Sequence, residues 1–355
     1  MSIFSPSFSC GAKYGDYIYA SLSKFNGLVR VDINSGSVEW LMKFSETEDV
    51  IGIQHSRAYV YEKKIYFFPA FGTYIHIYDP QTNVVKGVGI KRRRSKSEYM
   101  SILHDGNVLI VPKNIEENIL LFRFYDNSIT IAVEWERLRN FVVDTSYMFM
   151  RLTKIEDRIV MPIYGSSLVL LFNMDKLTCE KINVPVGNLF GAFDGDNGII
   201  LLSKENKKIY KWNYKDNTVR DCDLSYSGEE IINFTFATKL NGRSYLFPAY
   251  SSKYIYIEEN DMIEVFLELE EATSKTLFLE PFVFEDSIWA IPYECDYLLC
   301  LREDEIKKIR LKDVEMDDSS KRNLLKVFLS SGKVFMEGKD LTIDEFMSGL
   351  TSGGI

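Results

Sequence analysis

The chain has little of what most catalytic centres are built from. Among its 355 residues there are three histidines, His55, His76 and His104, and five cysteines. The cysteines (Cys10, Cys179, Cys222, Cys295 and Cys300) are odd in number and dispersed, and the spacing of Cys295 and Cys300 matches no common zinc pattern. Free thiols, a cytoplasmic location and no metal or cofactor are therefore expected. There is no Gly-x-Ser-x-Gly elbow, no His-Glu-x-x-His pair and no phosphate-binding glycine loop. The glycine-rich stretch 186–198 lacks the Lys and Ser/Thr of a phosphate loop, and its DGDNG lacks the terminal Glu of a calcium loop. It reads as a hairpin turn, as does the Asp-Gly pair after His104.

Other absences narrow the class further. No apolar run approaches the ~18 residues needed to cross a membrane. The N-terminal stretch has no basic segment followed by an apolar core, so no secretory signal is expected. No low-complexity spacer interrupts residues 1–312. The net charge of −9 and a pI near 5.1 argue against a nucleic-acid binder, which is usually basic on one face. The exception is the run Lys91-Arg92-Arg93-Arg94-Ser95-Lys96, which reads as a solvated loop or as a docking spot for phosphate or an acidic partner.

What the chain does have is repetition. Seven stretches carry one theme at a spacing of about 45 residues: an apolar strand, often closing on proline, a short loop, a second apolar strand and a turn rich in Asp, Asn and Lys. Pro69, Pro248 and Pro292 each lie ten residues before a turn residue (Asp79, Glu258, Arg302), and Pro162 lies eleven before Asn173. Pro112 lies fourteen before Asp126, which implies a four-residue insertion. Two copies lack the proline, with Ala20–Leu22 and Ser203 at its position. Proline cannot donate to a sheet ladder, so it should close a blade's second strand. Aromatic residues make up 14% of the chain, and alternation in 74–79 and 253–258 fits half-buried strands. The fold predicted is all-β: a seven-bladed β-propeller over residues 1–312, with six or eight blades as alternatives. Both terminal repeats look complete, so no strand exchange between the termini is required. Residues 313–355 are expected to form an appendage, with a strand at 333–338 and a short helix at 341–350.

Two blades resemble known repeats. Residues 26–44 resemble a quinoprotein-like blade, in which an Asp and a Ser-Gly turn precede a Trp on the outer strand: here Asp32, Ser35, Gly36 and Trp40. Residues 64–85, with their Tyr-Asp turn, resemble a kelch blade. The resemblance implies the propeller architecture and carries over no quinone binding.

Candidate ligand contacts cluster by position in the repeat. Phe25, Phe71, Tyr74, Tyr164, Tyr250 and Tyr293 fall at or near the proline-linked loop, where flat faces with polar tips suit peptides or sugars. They also suit packing between blades. The connections between repeats add carboxylates: Glu46, Glu48 and Asp49, then Asp144, then Glu229 and Glu230, then Glu270 and Glu271, with Tyr226 and Phe141 nearby. His55, near the start of an inner strand, is the best candidate for a functional histidine, while His76 should point to the less apolar face of its strand. The contact set expected is His55, Phe71, Tyr74, Asp144, Tyr164, Glu230, Tyr250 and Tyr293, with no catalytic residue assigned. The function expected is a binding or scaffold propeller for a peptide, protein or glycan. The alternative is a carbohydrate-active hydrolase or lyase using carboxylates or His55 in a central pocket.

Overall fold

The computed structural model describes residues 6–44, 52–93, 97–141, 149, 151–195, 198–203, 208–221, 234–248, 253–258, 261–266, 277–279, 281–302 and 305–330. Seven antiparallel sheets follow one another along the chain, the architecture of a seven-bladed β-propeller. Blade one runs from Phe8 to Met42, blade two from His55 to Gly89 and blade three from Tyr99 to Val133. Blades four, five and six span Thr153 to Asn183, Leu189 to Asp221 and Phe234 to Phe266. Blade seven spans Phe282 to Arg310. The chain divides into two compact units, residues 1–89 with 289–355 and residues 90–288, the division falling inside blade seven.

The recurrent proline does what its missing N–H dictates. Pro69, Pro112, Pro162 and Pro248 each end a second strand, where Leu22 and Ser203 stand in the two copies without it. The third strands end on Asp32, Asp79, Asn173, Asn213, Glu258 and Arg302, as the spacing predicts. Asp and Asn hold these turns through their side chains. Asp32 Oδ1 accepts the N–H of Asn34 at 2.8 Å and of Ser35 at 3.0 Å, and Asp79 Oδ1 that of Gln81 at 2.9 Å. The N–H groups of Ser35 and Asn34 hold the Asp32 carboxyl below the usual range.

Blade three corrects the count. Its third strand ends at Arg123, and Asn127, with φ 55°, matches Asn83 (54°) and Asn217 (55°) four residues after a strand end. Its turn is therefore as long as the others, and the four-residue insertion inferred from Asp126 is not there. The hairpin after His104 is as predicted: Asp105 and Gly106 both have positive φ, 42° and 70°. DGDNG joins two strands that pair Gly195 with Gly198, again a hairpin.

Among the described residues, the four antiparallel strands of each blade are consecutive in sequence. Blade one carries one addition. Val314–Glu315 pairs in parallel with its outer strand, Val314 opposite Val38 and Glu315 opposite Glu39. Lys312 N–H donates to Gly36 O at 2.9 Å beside it. Gly36 sits at φ 69°, and a Cβ there would collide with the Arg310 carbonyl, so glycine is required twice over. At the other edge, Phe8 N–H donates to Pro292 O at 2.9 Å.

The C-terminal appendage is helical, as expected, though its described helix begins earlier than 341, and a second helix was not anticipated. Helix α1 (Trp135–Phe141) lies in the connection after blade three, and α2 (Asp318–Ser330) follows the parallel strand. Asp317 caps α2, accepting from Ser320 N–H at 2.9 Å and Ser320 Oγ at 2.6 Å. The strand and helix expected at 333–338 and 341–350 lie outside the described residues.

Candidate functional site

In blades one, two and three the loop after the second strand meets the connection entering the blade at one end. In three blades the residue after the second strand donates its N–H to the carbonyl just before the first strand. The pairs are Ser23 to Ser7, Ala70 to Gln54 and Lys113 to Glu98, each at 2.8 Å. The first strands of blades one and two also carry bulges at Ser9 and Ser56. These serines bridge to the second strand, Ser9 Oγ to Ser21 O at 3.3 Å and Ser56 Oγ to Pro69 O at 2.9 Å. A candidate contact on the loop and one on the connection therefore share an end of their blade.

Blade two gives the best-defined loop. Ala70 and Gly72 donate to Gln54 O at 2.8 and 3.0 Å, and Phe71 donates to Ile53 O at 3.3 Å. A Cβ on Gly72 would come within 2.7 Å of that same Gln54 carbonyl, so the close approach needs glycine. Three consecutive backbone bonds thus hold a loop whose middle side chain, Phe71, is 47% exposed. Phe71 is the one phenylalanine among the exposed large apolar residues described.

The other aromatic candidates fare differently. Phe25 is buried. Tyr74 is half-buried, its ring centre 5.9 Å from that of His76. Tyr164 is half-buried against the cluster of Phe190, Phe193, Ile200 and Leu246. Tyr293 is half-buried, and its carbonyl accepts from Ser7 Oγ. Asp144, Glu230 and Tyr250 lie outside the described residues, as do Glu46, Glu48, Asp49, Glu229, Glu270, Glu271 and Tyr226.

His55 lies in the core, 0% exposed, and so does His76, contrary to its expected place on the less apolar face. His55 Nδ1 and Ser21 Oγ are 2.8 Å apart, and His55 Nε2 lies 2.8 Å from His76 Nδ1. Ser21 comes from the second strand of blade one, His55 and His76 from the first and third strands of blade two. Phe44 packs on both imidazoles, at 4.5 and 4.9 Å between ring centres, and Phe67 on His55 at 5.6 Å. Burial, and then the neighbouring His76, push His55 well below the ordinary histidine range. Sequence reasoning picked out His55 but missed its partners. Ser21 is 34 residues away and carries no local signal.

The basic run is partly built into blade three. The guanidinium of Arg93 lies 3.6 Å over the Trp135 ring and donates to Glu116 O at 3.1 Å. Buried Glu117 accepts the Arg93 N–H and the Ser97 hydroxyl, each at 3.0 Å. Arg92 lies over Tyr99 at 5.0 Å. This end of the run is thus anchored by the loop that follows Pro112, while residues 94–96 lie outside the described residues. Among the described residues no group of His, Cys, Asp or Glu is arranged to hold a metal. None of their helices is long and apolar enough to cross a membrane.

No protein-family model and no curated protein matches this chain. Solved structures do match its fold. A catalytically inactive virginiamycin B lyase from Staphylococcus aureus, with quinupristin, is 10% identical with a TM-score of 0.63, over 82% of this chain and 94% of that one. The extracellular domain of BT4673 from B. thetaiotaomicron is 11% identical with a TM-score of 0.59, over 85% of this chain and 39% of that one. PorZ, a surface component of the type-IX secretion system of Porphyromonas gingivalis, is 11% identical with a TM-score of 0.57, over 86% and 38%. At these identities the likeness is one of fold, and a propeller fold hosts many unrelated activities.

Proposed function

We propose that this propeller is a non-catalytic binding module that recognises a peptide, protein or glycan through the loops beside Phe71. The observation that carries the reading is the Phe71 loop itself. An exposed aromatic ring on a backbone fixed by three hydrogen bonds presents apolar area with little ordering cost on binding. The competing reading, a carbohydrate-active enzyme, needs an imidazole or carboxylates open to substrate. His55 is fully buried with both ring nitrogens engaged, which favours binding over catalysis. A cytoplasmic location belongs to the same proposal and is supported by the odd number and dispersed spacing of the cysteines. Kinship with kelch-like or quinoprotein-like propellers is proposed at the level of blade design alone.

The test is affinity capture from the native host with wild-type protein and Phe71→Ala, followed by mass spectrometry of proteins and glycans. A partner captured by the wild type should be weakened by about 1–3 kcal/mol in the variant, the scale of a good aromatic anchor. The melting temperature should stay within a degree. A partner held equally well by both proteins would sink the reading.

A further inference from the structure

The three-member chain Ser21–His55–His76 does a job that neither the fold nor the binding reading requires. Its two imidazoles face each other nitrogen to nitrogen at 2.8 Å. One proton fits on that line. With two, an N–H would point at an N–H, so the pair cannot take up a second proton without separating. In the unfolded chain each imidazole takes one proton independently near pH 6.5. The native pair therefore binds at least one proton fewer than the unfolded pair in mild acid, whichever tautomers it holds at neutral pH.

The described surroundings make a charge on His55 costly. From blade one, His55 meets the Ser21 hydroxyl, and from the segment just after it the Phe44 ring; from blade two, it meets Phe67 and His76. His76 in turn meets Phe44 and Tyr74. Among the described residues, the charge that bears on His55 is that of His76, of the same sign. Glu46, Glu48 and Asp49, between the two blades in sequence, lie outside the described residues. Charging a buried imidazole in such a setting is unfavourable.

The position of the pair gives the charge a consequence. His55 follows Ile53 and Gln54, whose carbonyls hold Ala70, Phe71 and Gly72. It also lies opposite Pro69 in the ladder, beside the bulge at Ser56. His55 is thus the next residue in the chain after the backbone anchor of the Phe71 loop.

We propose that Ser21–His55–His76 is an acid-sensitive seam between blades one and two, and that its opening in mild acid releases the loop carrying Phe71. The seam itself does not depend on what Phe71 binds; its use to let go of a partner at low pH rests on the binding reading above. Proton uptake here is linked to opening, with up to a tenfold change in the opening equilibrium per pH unit for each unmatched proton.

The experiment is hydrogen–deuterium exchange with mass spectrometry at pH 7.5 and 5.5, corrected for the pH dependence of intrinsic exchange. Peptides within 53–76 of the wild-type protein should lose protection at least tenfold at the lower pH, while peptides within 199–213 of blade five change little. His76→Asn, which keeps a polar atom near the Nδ1 position but cannot titrate, should reduce the loss; His55→Gln is the second variant. Unchanged protection of 53–76 at pH 5.5 in the wild type overturns the proposal without any variant having to fold. An equal loss in 53–76 and 199–213, or the same local loss in a folded His76→Asn protein, also overturns it. Phe71→Ala should keep the pH response of 53–76, so failure of the binding reading and failure of the seam are told apart.

Discussion

Several single residues stand where a neighbouring atom or a backbone angle leaves little choice. Gly27 is one: a Cβ there would collide with the Trp40 ring, which lies against its α-carbon. Gly27→Ala must push that ring aside and should cost about 1–3 kcal/mol, read by urea unfolding. Glu117 is another, a buried carboxylate holding Ser97 Oγ and the Arg93 N–H. Glu117→Ala leaves at least the Ser97 and Arg93 donors without their acceptor and should cost about 1–3 kcal/mol for each one left unpaired. His55 sets a pH dependence. Its pKa is lower in the folded chain than the ordinary value, so at and above neutral pH it costs nothing. As pH falls through ~6.5 the unfolded state gains a proton that the folded state resists, and stability falls by about 1.4 kcal/mol per pH unit for each unmatched proton. Unfolding free energies at pH 7.5 and 5.5 should therefore differ in the wild type and differ less in His55→Gln. Which histidine mattered was legible in the sequence only in part. His76 alternates with Ile75 and Ile77 in a strand, which assigned it to the wetter face, but Phe44, just after blade one, covers it.

Elements were legible where local chemistry fixes them. A proline ends a strand because it lacks a donor, and an Asp or Asn starts a turn because its carboxyl or amide captures the next N–H groups. Both signals repeated; the proline held in four blades, and in blade seven the strand stops at Ala290, two residues short of Pro292. The sequence misled where a residue of the right type stood at the wrong place. Asp126 lies inside the turn of blade three, and Arg123 occupies the strand end. Helix α1 and the start of α2 were missed for a different reason. Helix α1 is seven residues long with one fully buried side chain, Leu138, too short to show a period. Helix α2 begins in the polar run Asp318-Ser319-Ser320-Lys321-Arg322-Asn323, where the signal is the cap and not an apolar stripe. The parallel strand at Val314–Glu315 had no signal, because two residues cannot display alternation. It can be tested through Val314, which is buried against blade one. Val314→Asp places an unpaired carboxylate there and should lower stability by about 1–3 kcal/mol by urea unfolding.

At the scale of the whole molecule, the sequence predicted the propeller because a period of about 45 residues is a property of the chain's length and not of any one residue. The proposed contact face was less legible: the same aromatic types that would make one also pack blades together. Phe25 and Phe71 sit in corresponding loops, one buried and one exposed. Accessibility also separates the thiols. Cys10, Cys179 and Cys295 are buried, Cys300 is half-buried, and burial pushes the Cys179 thiol up to about 12. Titration with a thiol reagent should find all five cysteines reactive in the denatured, unreduced protein. In the native protein Cys300 should react well before Cys10, Cys179 and Cys295; a denatured count of three or fewer would reveal a disulfide. The continuity of every blade bears, finally, on synthesis. A propeller closed by exchanged strands leaves its first sheet incomplete until the last residues leave the ribosome. Here all four strands of blade one are made by Met42, and those of blade two by Gly89. Ser21, His55 and His76 can thus find one another while most of the chain is still unmade, and the parallel strand at Val314 arrives as a late fastening on a sheet already formed.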